Sequence, residues 1–265
     1  MTSIRACGQT DTGLAREHNE DCFAIDAESH LYVVADGMGG HSYGEVASRI
    51  SVDSICTFVS RRRDPSPEDL GPPEEILRSA GYDDQLQPHS NVLKAAILAA
   101  QEQVLGAIQE DVSLRGMGTT VVGLHVSDGI AAVANVGDSR IYRIRRGEIE
   151  QLSVDHTWVH EQVRAGYLSA EQARSHPLRN VVTRALGGES EVAIDVQEVA
   201  VEEADLFLLC SDGLTGMLRD EEISLLLRDE PPLEEACQNL IKAANEHGGA
   251  DNITVVLVSI VSDPS

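Results

Sequence analysis

Short acidic stretches recur at four distant points of the chain, each beside a run that is typical of a β-strand. They are NED at residues 19–21, DGMGG at 36–40, SDG at 211–213 and DN at 251–252. Burying this many carboxylates together would cost on the order of several kcal/mol for each unless positive charge lay beside them. No matching set of lysines or arginines accompanies these stretches. Because hard divalent cations take oxygen ligands, the pattern indicates a metal-dependent hydrolase that binds a pair of them.

The sequence around three of these aspartates indicates how they could meet. Asp36 follows YVVA and precedes GMGG, where glycine lets the backbone approach an ion, so the Gly37 carbonyl could be a further ligand. Asp212 follows LFLLCS, and Asp251 precedes NITVVLVSI. An Asp-Gly pair after a strand is on its own most often a turn, so only the joint pattern supports this interpretation. We expect the three carboxylates to converge if their strands are neighbours.

Hydrophobic patterning predicts two clusters of strands separated by helices. The predicted strands cover residues 22–25, 31–35, 119–126, 130–136, 140–145, 149–152, 193–201, 205–210 and 252–260. The predicted helices cover residues 44–60, 91–111, 156–165, 169–174, 221–228 and 233–246, with Asn91 as the N-cap of the second. Residues 61–89 are rich in proline, glycine and charge, which predicts a surface insertion. The expected architecture is sheet packed on sheet, with helices outside.

Composition limits the classes of function. At 265 residues, the chain is long enough for one large domain with a sizeable core. Its formal net charge of −24 disfavours binding to nucleic acid or to an anionic membrane surface. It has neither a bilayer-spanning apolar run nor the apolar core of a signal peptide, so we expect a cytoplasmic protein. The five cysteines lack zinc-site spacing, which favours reduced thiols.

Eight segments of the chain, in order, resemble one family. They are TDTGLAREHNED at 10–21, VVADGMGGHSYGEVAS at 33–48, GMGTTVV at 116–122, VANVGDSRIYRI at 133–144, SVDHT at 153–157, HPLRNVVTRALGG at 176–188, LLCSDGLT at 208–215 and DNITVVLV at 251–258. Together they resemble the PPM (type 2C) family of metal-dependent serine/threonine protein phosphatases, in its bacterial form.

The resemblance implies a fold and a domain organisation. The fold is α+β, a four-layer α-β-β-α sandwich of two antiparallel sheets flanked by helices. A single catalytic domain is expected over residues 1–262, with the surface insertion near 61–90 and a flap near 156–188 that borders the active site.

The resemblance also implies ligands for two Mn²⁺ or Mg²⁺ ions. Asp36 resembles the carboxylate that bridges the two ions. Asp212 and Asp251 resemble the other ligands of the first ion, and Glu20 and the Gly37 carbonyl resemble the ligands of the second. A hydroxide bridging two such ions can attack phosphorus directly, which removes the need for a nucleophilic side chain.

Three further residues have roles implied in the same way. Asp21 resembles a carboxylate that holds metal-bound water. Asp138 resembles a ligand of a third, weaker ion that also uses Asp212. Arg16 resembles the arginine that grips the substrate phosphate, for which a guanidinium is well suited because it can make paired hydrogen bonds.

One position departs from the eukaryotic pattern of this family. Those relatives have a histidine after Asp-Gly, proposed as the general acid, where this sequence has Met38. Metal-bound water is therefore the first candidate for the proton donor. His41 and His156 are more simply interpreted as structural, hydrogen-bonding residues, and His176 and Arg179 as flap residues that could contact phosphoprotein.

The resulting hypothesis is hydrolysis of phosphoserine and phosphothreonine in proteins by a monomer that opposes bacterial serine/threonine kinases. A catalytically inactive relative that binds phosphoprotein is one alternative, which the presence of the expected metal ligands disfavours. A hydrolase of small phosphoesters is another, and the sequence does not separate it from the first hypothesis.

Overall fold

The computed structural model of the chain describes residues 2–39, 43–63 and 82–262. Its strands, in chain order, are β1 (Thr2–Asp11), β2 (Asp21–Asp26), β3 (Leu31–Met38), β4 (Gly118–Thr119), β5 (Val121–Ser127), β6 (Ile130–Val136), β7 (Arg140–Arg145), β8 (Glu148–Gln151), β9 (Asp195–Ala200), β10 (Leu206–Cys210) and β11 (Ile253–Ser262). The helices are α1 (Tyr43–Arg63), α2 (Pro88–Glu110), α3 (Trp158–Arg164), α4 (Ala170–Arg174), α5 (Asp212–Thr215), α6 (Asp220–Leu227) and α7 (Leu233–Glu246).

The strands form two antiparallel sheets. One has the order β1-β11-β10-β7-β8, and the other has the order β2-β3-β5-β6-β9 with the short β4 paired to β3. Two of the hairpin turns have positive φ at both central residues, at Asp128–Gly129 between β5 and β6 and at Arg146–Gly147 between β7 and β8. Turns of this kind match the twist of the strands that they join.

Three buried clusters fix the layers. Between the sheets, Tyr32 and Val34 of β3 share a cluster with Phe207 of β10 and Val256 of β11. The outer face of β3 packs with α1 and α2, while the outer faces of β10 and β11 pack with α6 and α7. Each large apolar side chain buried in this way contributes about 1.5–3 kcal/mol relative to exposure. The layers are therefore α1/α2, sheet, sheet, α6/α7, and the predicted four-layer α+β sandwich is confirmed.

Strand β1 was not predicted. Its sequence, TSIRACGQTD, contains few large apolar residues, so its alternation is weak. It pairs with β11 along its whole length, from Thr2 opposite Ser262 to Asp11 opposite Ile253. Ile4 and Ala6 pack against the cluster between the sheets, and Cys7 packs on the α7 side. This strand is therefore defined by its partner rather than by its own pattern.

The prediction that Asn91 caps the second helix was wrong. Helix α2 begins at Pro88, with Gln87 as its N-cap residue, because proline fits the first turn of a helix. Asn91 lies inside the helix and is buried. Its Nδ2 donates to the carbonyls of Asp83, Leu86 and Gln87, and its Oδ1 accepts from the amide of Asp83. Asn91 therefore anchors the segment that leads into the helix.

Two predictions from the sequence fall wholly or partly outside the described residues. Residues 64–81, which are most of the predicted insertion, are outside them, and so is His41. Arg61 and Arg62 extend α1, and the Arg62 guanidinium lies 3.5 Å from the centre of the Phe58 ring. In residues 2–39, 43–63 and 82–262, no helix is both long enough and apolar enough to cross a bilayer.

Asn91→Ala is expected to lower the free energy of unfolding by about 2–4 kcal/mol, because four backbone groups of the segment before α2 lose a hydrogen bond to this buried side chain. Chemical denaturation measures this loss. Gln85→Ala, in the exposed loop before α2, is the control and should change the value by less than about 0.5 kcal/mol. Equal losses in the two variants would contradict the anchoring role.

Candidate metal centre

The β2–β3 hairpin places two acidic residues side by side. Asp21, at the start of β2, is directly opposite Asp36, near the end of β3. The backbone of Asp36 is fixed by two threonines beside it: its amide donates to Thr120 Oγ1 at 3.1 Å, and its carbonyl accepts from Thr119 Oγ1 at 2.8 Å. The β3–β4 pairing thus sets the position of the Asp36 side chain before any ligand contributes.

The other sheet supplies the next carboxylates. Asp212 follows β10 and Asp251 precedes β11, and these strands are antiparallel neighbours. Ser211 Oγ and Thr254 Oγ1 both donate to Asp21 Oδ2, at 2.8 and 2.6 Å. Asp21 therefore links the two sheets at this end of the sandwich. Its other oxygen, Oδ1, is buried and has no hydrogen-bond partner in the described part of the chain.

Residues 12–20, which join β1 to β2, carry Arg16 and Glu20. Arg16 Nη2 donates to Asp251 Oδ2 at 2.7 Å, and the Arg16 side chain is 52% exposed. The amide of Gly37 donates to the carbonyl of Glu20. A Cβ on Gly37 would lie 2.4 Å from that carbonyl oxygen, and one on Gly44 would lie 2.6 Å from Glu20 Oε2. Both glycines are therefore needed for the close approach of Glu20 to β3 and α1.

These residues meet at one cavity of about 730 Å³ that opens to solvent. Acidic side chains form much of its lining, Asn180 and Val182 of the predicted flap form part of another wall, and Arg16 lies at its edge. The full lining is Arg16, Glu17, His18, Glu20, Asp36, Gly37, Met38, Gly39, Thr120, Asp138, Asn180, Val182, Asp212, Asp251 and Asn252.

The buried carboxyl groups of this site have raised pKa values. Burial, followed by the charges of Asp21 and Asp212, raises the pKa of Asp36 well above its ordinary value. Burial is also the main cause that raises the pKa of Asp21, Asp138 and Asp212. Hydrogen bonds and nearby arginines oppose these shifts only in part. In the absence of further positive charge, each group is protonated more readily than an ordinary aspartate.

The residues fit hard divalent cations. The donor set consists of oxygens, Asp21 has an unpartnered buried oxygen, and the charge imbalance is the kind that bound cations relieve. Among the described residues, however, no three His, Cys, Asp or Glu side chains are grouped closely enough to hold an ion by themselves. The Gly37 carbonyl and water molecules would have to complete the coordination. The Asp36, Asp212 and Asp251 side chains, which the resemblance assigns to one ion, are therefore not grouped as a complete ligand set in the described part of the chain.

Asp138 is held in the cavity by a turn whose backbone is bonded to His156. His156 is 4% exposed, and its Nδ1 accepts from the amide of Gly137 at 3.0 Å. The proton of the neutral ring is thereby assigned to Nε2, which lies 3.1 Å from Asp195 Oδ2. Burial lowers the pKa of His156, so this neutral form is favoured near pH 7. His156 orients the turn that carries Asp138, as its structural interpretation from the sequence expected.

The structure distinguishes the other residues considered from the sequence. Met38 lines the cavity and has no proton to donate. His176 stacks on Trp158 with ring centres 5.1 Å apart, and neither His176 nor Arg179 is part of the cavity lining. Among the flap residues, Asn180 lines the cavity instead of His176 or Arg179. Sequence reasoning singled out neither Asn180 nor the side chain of Asn252, although Asn252 belongs to the DN pair.

Comparison with known proteins identifies the family. The family model described as Protein phosphatase 2C matches residues 15–257. The chain belongs to the protein phosphatase 2C family. The serine/threonine phosphatase stp of Listeria welshimeri is 37% identical over 253 residues, which are 94% of this chain and 93% of the relative.

Solved structures agree with this family assignment. The serine/threonine phosphatase Stp1 from Staphylococcus aureus matches with a TM-score of 0.83 and 34% identity, over 98% of this chain and 96% of that one. The catalytic domain of the phosphatase PstP, solved in complex with two manganese ions, matches with a TM-score of 0.82 and 32% identity, over 99% of this chain and 100% of that one. Both similarities extend over nearly the whole chain.

Asp36→Asn is expected to stabilise the chelator-treated protein at pH 8, because it removes a buried carboxylate whose folded-state pKa is raised. The gain should exceed the roughly 0.5 kcal/mol scatter of neutral surface substitutions. A raised pKa means that the wild-type penalty is largest above the folded-state pKa, and it decreases below that pKa until it vanishes near the ordinary pKa of aspartate, about 3.9. The advantage of the variant should therefore shrink as the pH falls towards 5.

Urea denaturation at several pH values, with EDTA present, measures this difference. Asp229→Asn, at an exposed position, is the matched control and should show no such pH dependence. An Asp36→Asn protein less stable than the wild type at pH 8 would contradict the expectation that the ionised, buried Asp36 destabilises the fold.

Proposed function

We propose that the protein is a metal-dependent phosphatase that removes phosphate from phosphoserine and phosphothreonine in proteins. The observation that carries this proposal is the meeting of Asp36, Asp212, Asp251 and Glu20 at one open cavity, with Arg16 at its edge. The named activities of the relatives support the same conclusion. The substrates are phosphorylated proteins. We further propose that the protein opposes bacterial serine/threonine kinases and that it is a monomer.

Two Mn²⁺ or Mg²⁺ ions fit this site, and their chemistry would be Lewis acidity that makes water nucleophilic near neutral pH. In the proposed arrangement, Asp36 would serve both ions, Asp212 and Asp251 would hold one, and Glu20 and the Gly37 carbonyl would hold the other. Asp138 with Asp212 would form a further, weaker site. Asp21 lies behind Asp36, and its position between Ser211 and Thr254 keeps it fixed.

Arg16 is proposed to bind the phosphoryl group. Its exposed guanidinium has five N–H donors, so it can keep one bond to Asp251 and offer others to phosphoryl oxygens. Paired hydrogen bonds from a guanidinium to such oxygens are stronger and more directional than bonds from an ammonium group. Arg16 therefore orients the phosphorus atom over the carboxylates and offsets charge that develops there.

Residues 156–188 are proposed to act as a flap, within a single catalytic domain over residues 1–262. Helices α3 and α4 lie in this segment, and its backbone returns to the body at two bridges, Thr157 to Val182 and Thr119 to Leu186. Asn180 and Val182 face the cavity, while Tyr167 is 77% exposed. The flap thus forms one wall of the cavity, and we expect a phosphoprotein to contact it more extensively than a small ester does.

The alternative of an inactive relative is disfavoured, since each carboxylate needed for two ions is at the cavity. A small-phosphoester hydrolase would use the same carboxylates. Comparing kcat/KM for a phosphothreonine peptide and for para-nitrophenyl phosphate separates the two, and we expect the peptide to be preferred.

The wild-type protein is expected to release phosphate from a phosphothreonine peptide with Mn²⁺ and to stop when EDTA is in excess. Asp36→Asn should reduce kcat by about 10³-fold or more, because a shared ligand and its charge are lost. A malachite-green assay of phosphate measures both. Asp229→Asn should behave as wild type, and full activity in Asp36→Asn would refute the proposed mechanism.

Arg16→Lys is expected to lower kcat/KM by about 10–100-fold, mainly through KM, because an ammonium group cannot form the paired bonds. Steady-state kinetics at saturating Mn²⁺ measures the split between kcat and KM. Arg49→Lys, on the exposed face of α1 beside Glu45, is the control. An unchanged KM in Arg16→Lys would assign phosphate binding to another group.

A further inference from the structure

Asn252 lies at the start of β11 and is 5% exposed. Its side chain makes three hydrogen bonds to residues 12–20, the segment that carries Arg16 and Glu20. Oδ1 accepts from the amide of Glu20 at 2.8 Å, and Nδ2 donates to the carbonyls of Thr12 and His18, both at 2.9 Å. One carboxamide therefore contacts this segment near its beginning and at its end.

The segment has no helix or strand of its own between Asp11 and Asp21. A second attachment comes from the loop before β11, where the carbonyl of Gly249 accepts from the amides of Leu14 and Ala15, at 2.7 and 3.1 Å. Asn252 also reaches the carboxylate next to it, because its own amide donates to Asp251 Oδ1 at 2.9 Å. Through hydrogen bonds of its side chain and its backbone, Asn252 thus connects Asp251, Glu20 and the segment that carries Arg16.

The chemistry of these bonds restricts the residue type. The site needs one acceptor facing an amide and two donors facing carbonyls, which a short carboxamide provides. Aspartate would keep the acceptor but place an oxygen against the carbonyls of Thr12 and His18. Alanine would leave the Glu20 amide and both carbonyls without this partner, and unmade buried hydrogen bonds are costly.

We propose that Asn252 is a positioning residue for the reaction. It holds Glu20 and Arg16 in the positions relative to Asp251 that catalysis requires. This inference rests on the proposed function of the cavity. Asn252 acts through two groups, one assigned to metal binding and one assigned to phosphate binding. Its loss therefore affects both Mn²⁺ affinity and substrate KM, in addition to stability.

The test compares Asn252→Ala and Asn252→Asp with Asn91→Ala, which removes a similarly buried asparagine from the beginning of helix α2. Mn²⁺ affinity is measured by isothermal titration calorimetry, without substrate. Asn252→Ala is expected to weaken Mn²⁺ binding about 10–100-fold, the usual range for residues that orient metal ligands. At saturating Mn²⁺, KM for a phosphothreonine peptide should rise about tenfold, more than kcat falls.

Asn252→Asp separates positioning from charge. Added negative charge would by itself strengthen cation binding, whereas misplacement of Glu20 weakens it, and we expect weaker binding than in the wild type. Asn91→Ala should leave Mn²⁺ affinity and KM unchanged. If Asn252→Ala does not fold, the Asn252→Asp result decides.

Mn²⁺ affinity and KM in both Asn252 variants equal to those of Asn91→Ala would overturn the proposal. Stronger Mn²⁺ binding in Asn252→Asp would also overturn it. If the wild type binds Mn²⁺ but releases no phosphate, the proposed function fails while the calorimetric comparison still decides the role of Asn252.

Discussion

Burial of several carboxyl groups close together, with the repulsion between them, is the constraint on which the rest of this structure depends. Asp21, Asp36, Asp138 and Asp212 each have a raised pKa, chiefly through burial and then, in part, through one another. Two arginines oppose the shift at Asp212: Arg16, which lines the cavity, and Arg140, whose guanidinium is already bound to Asp155 at 2.6 Å. The surrounding fold has to hold these carboxyl groups in place despite their unfavourable burial. Divalent cations would relieve that unfavourable charge, so cation binding is the central property of the molecule.

The fold meets this constraint by fixing backbone before side chains. Thr119 and Thr120 hold the backbone of Asp36, Ser211 and Thr254 hold one oxygen of Asp21, and the turn of Asp138 is bonded to His156. These partners come from both sheets and from the base of the predicted flap. The four-layer core supplies the rigidity, since a large buried cluster between the sheets prevents their ends from moving apart.

The sequence singles out Asp36 after YVVA and Asp212 after LFLLCS because each carboxylate follows an apolar strand. Resemblance to a family was needed to establish that these strand ends meet, since strand pairing depends on contacts distant in sequence. Strand β1 was missed because its pairing with β11 outweighs a weak local pattern. The N-terminal boundary of α2 was misplaced because Pro88 sets it and the buried Asn91 imitates a cap. The role of Asn252 is invisible in sequence, because its partners, Thr12, His18 and Glu20, are more than two hundred residues away.

The most direct test of this account is the location of Mn²⁺ in crystals grown with the metal, by anomalous scattering at the manganese edge. We expect two strong peaks that share Asp36, one beside Asp212 and Asp251 and the other beside Glu20 and the Gly37 carbonyl. Peaks only at positions away from Asp36, or no peak in the cavity at saturating Mn²⁺, would contradict it.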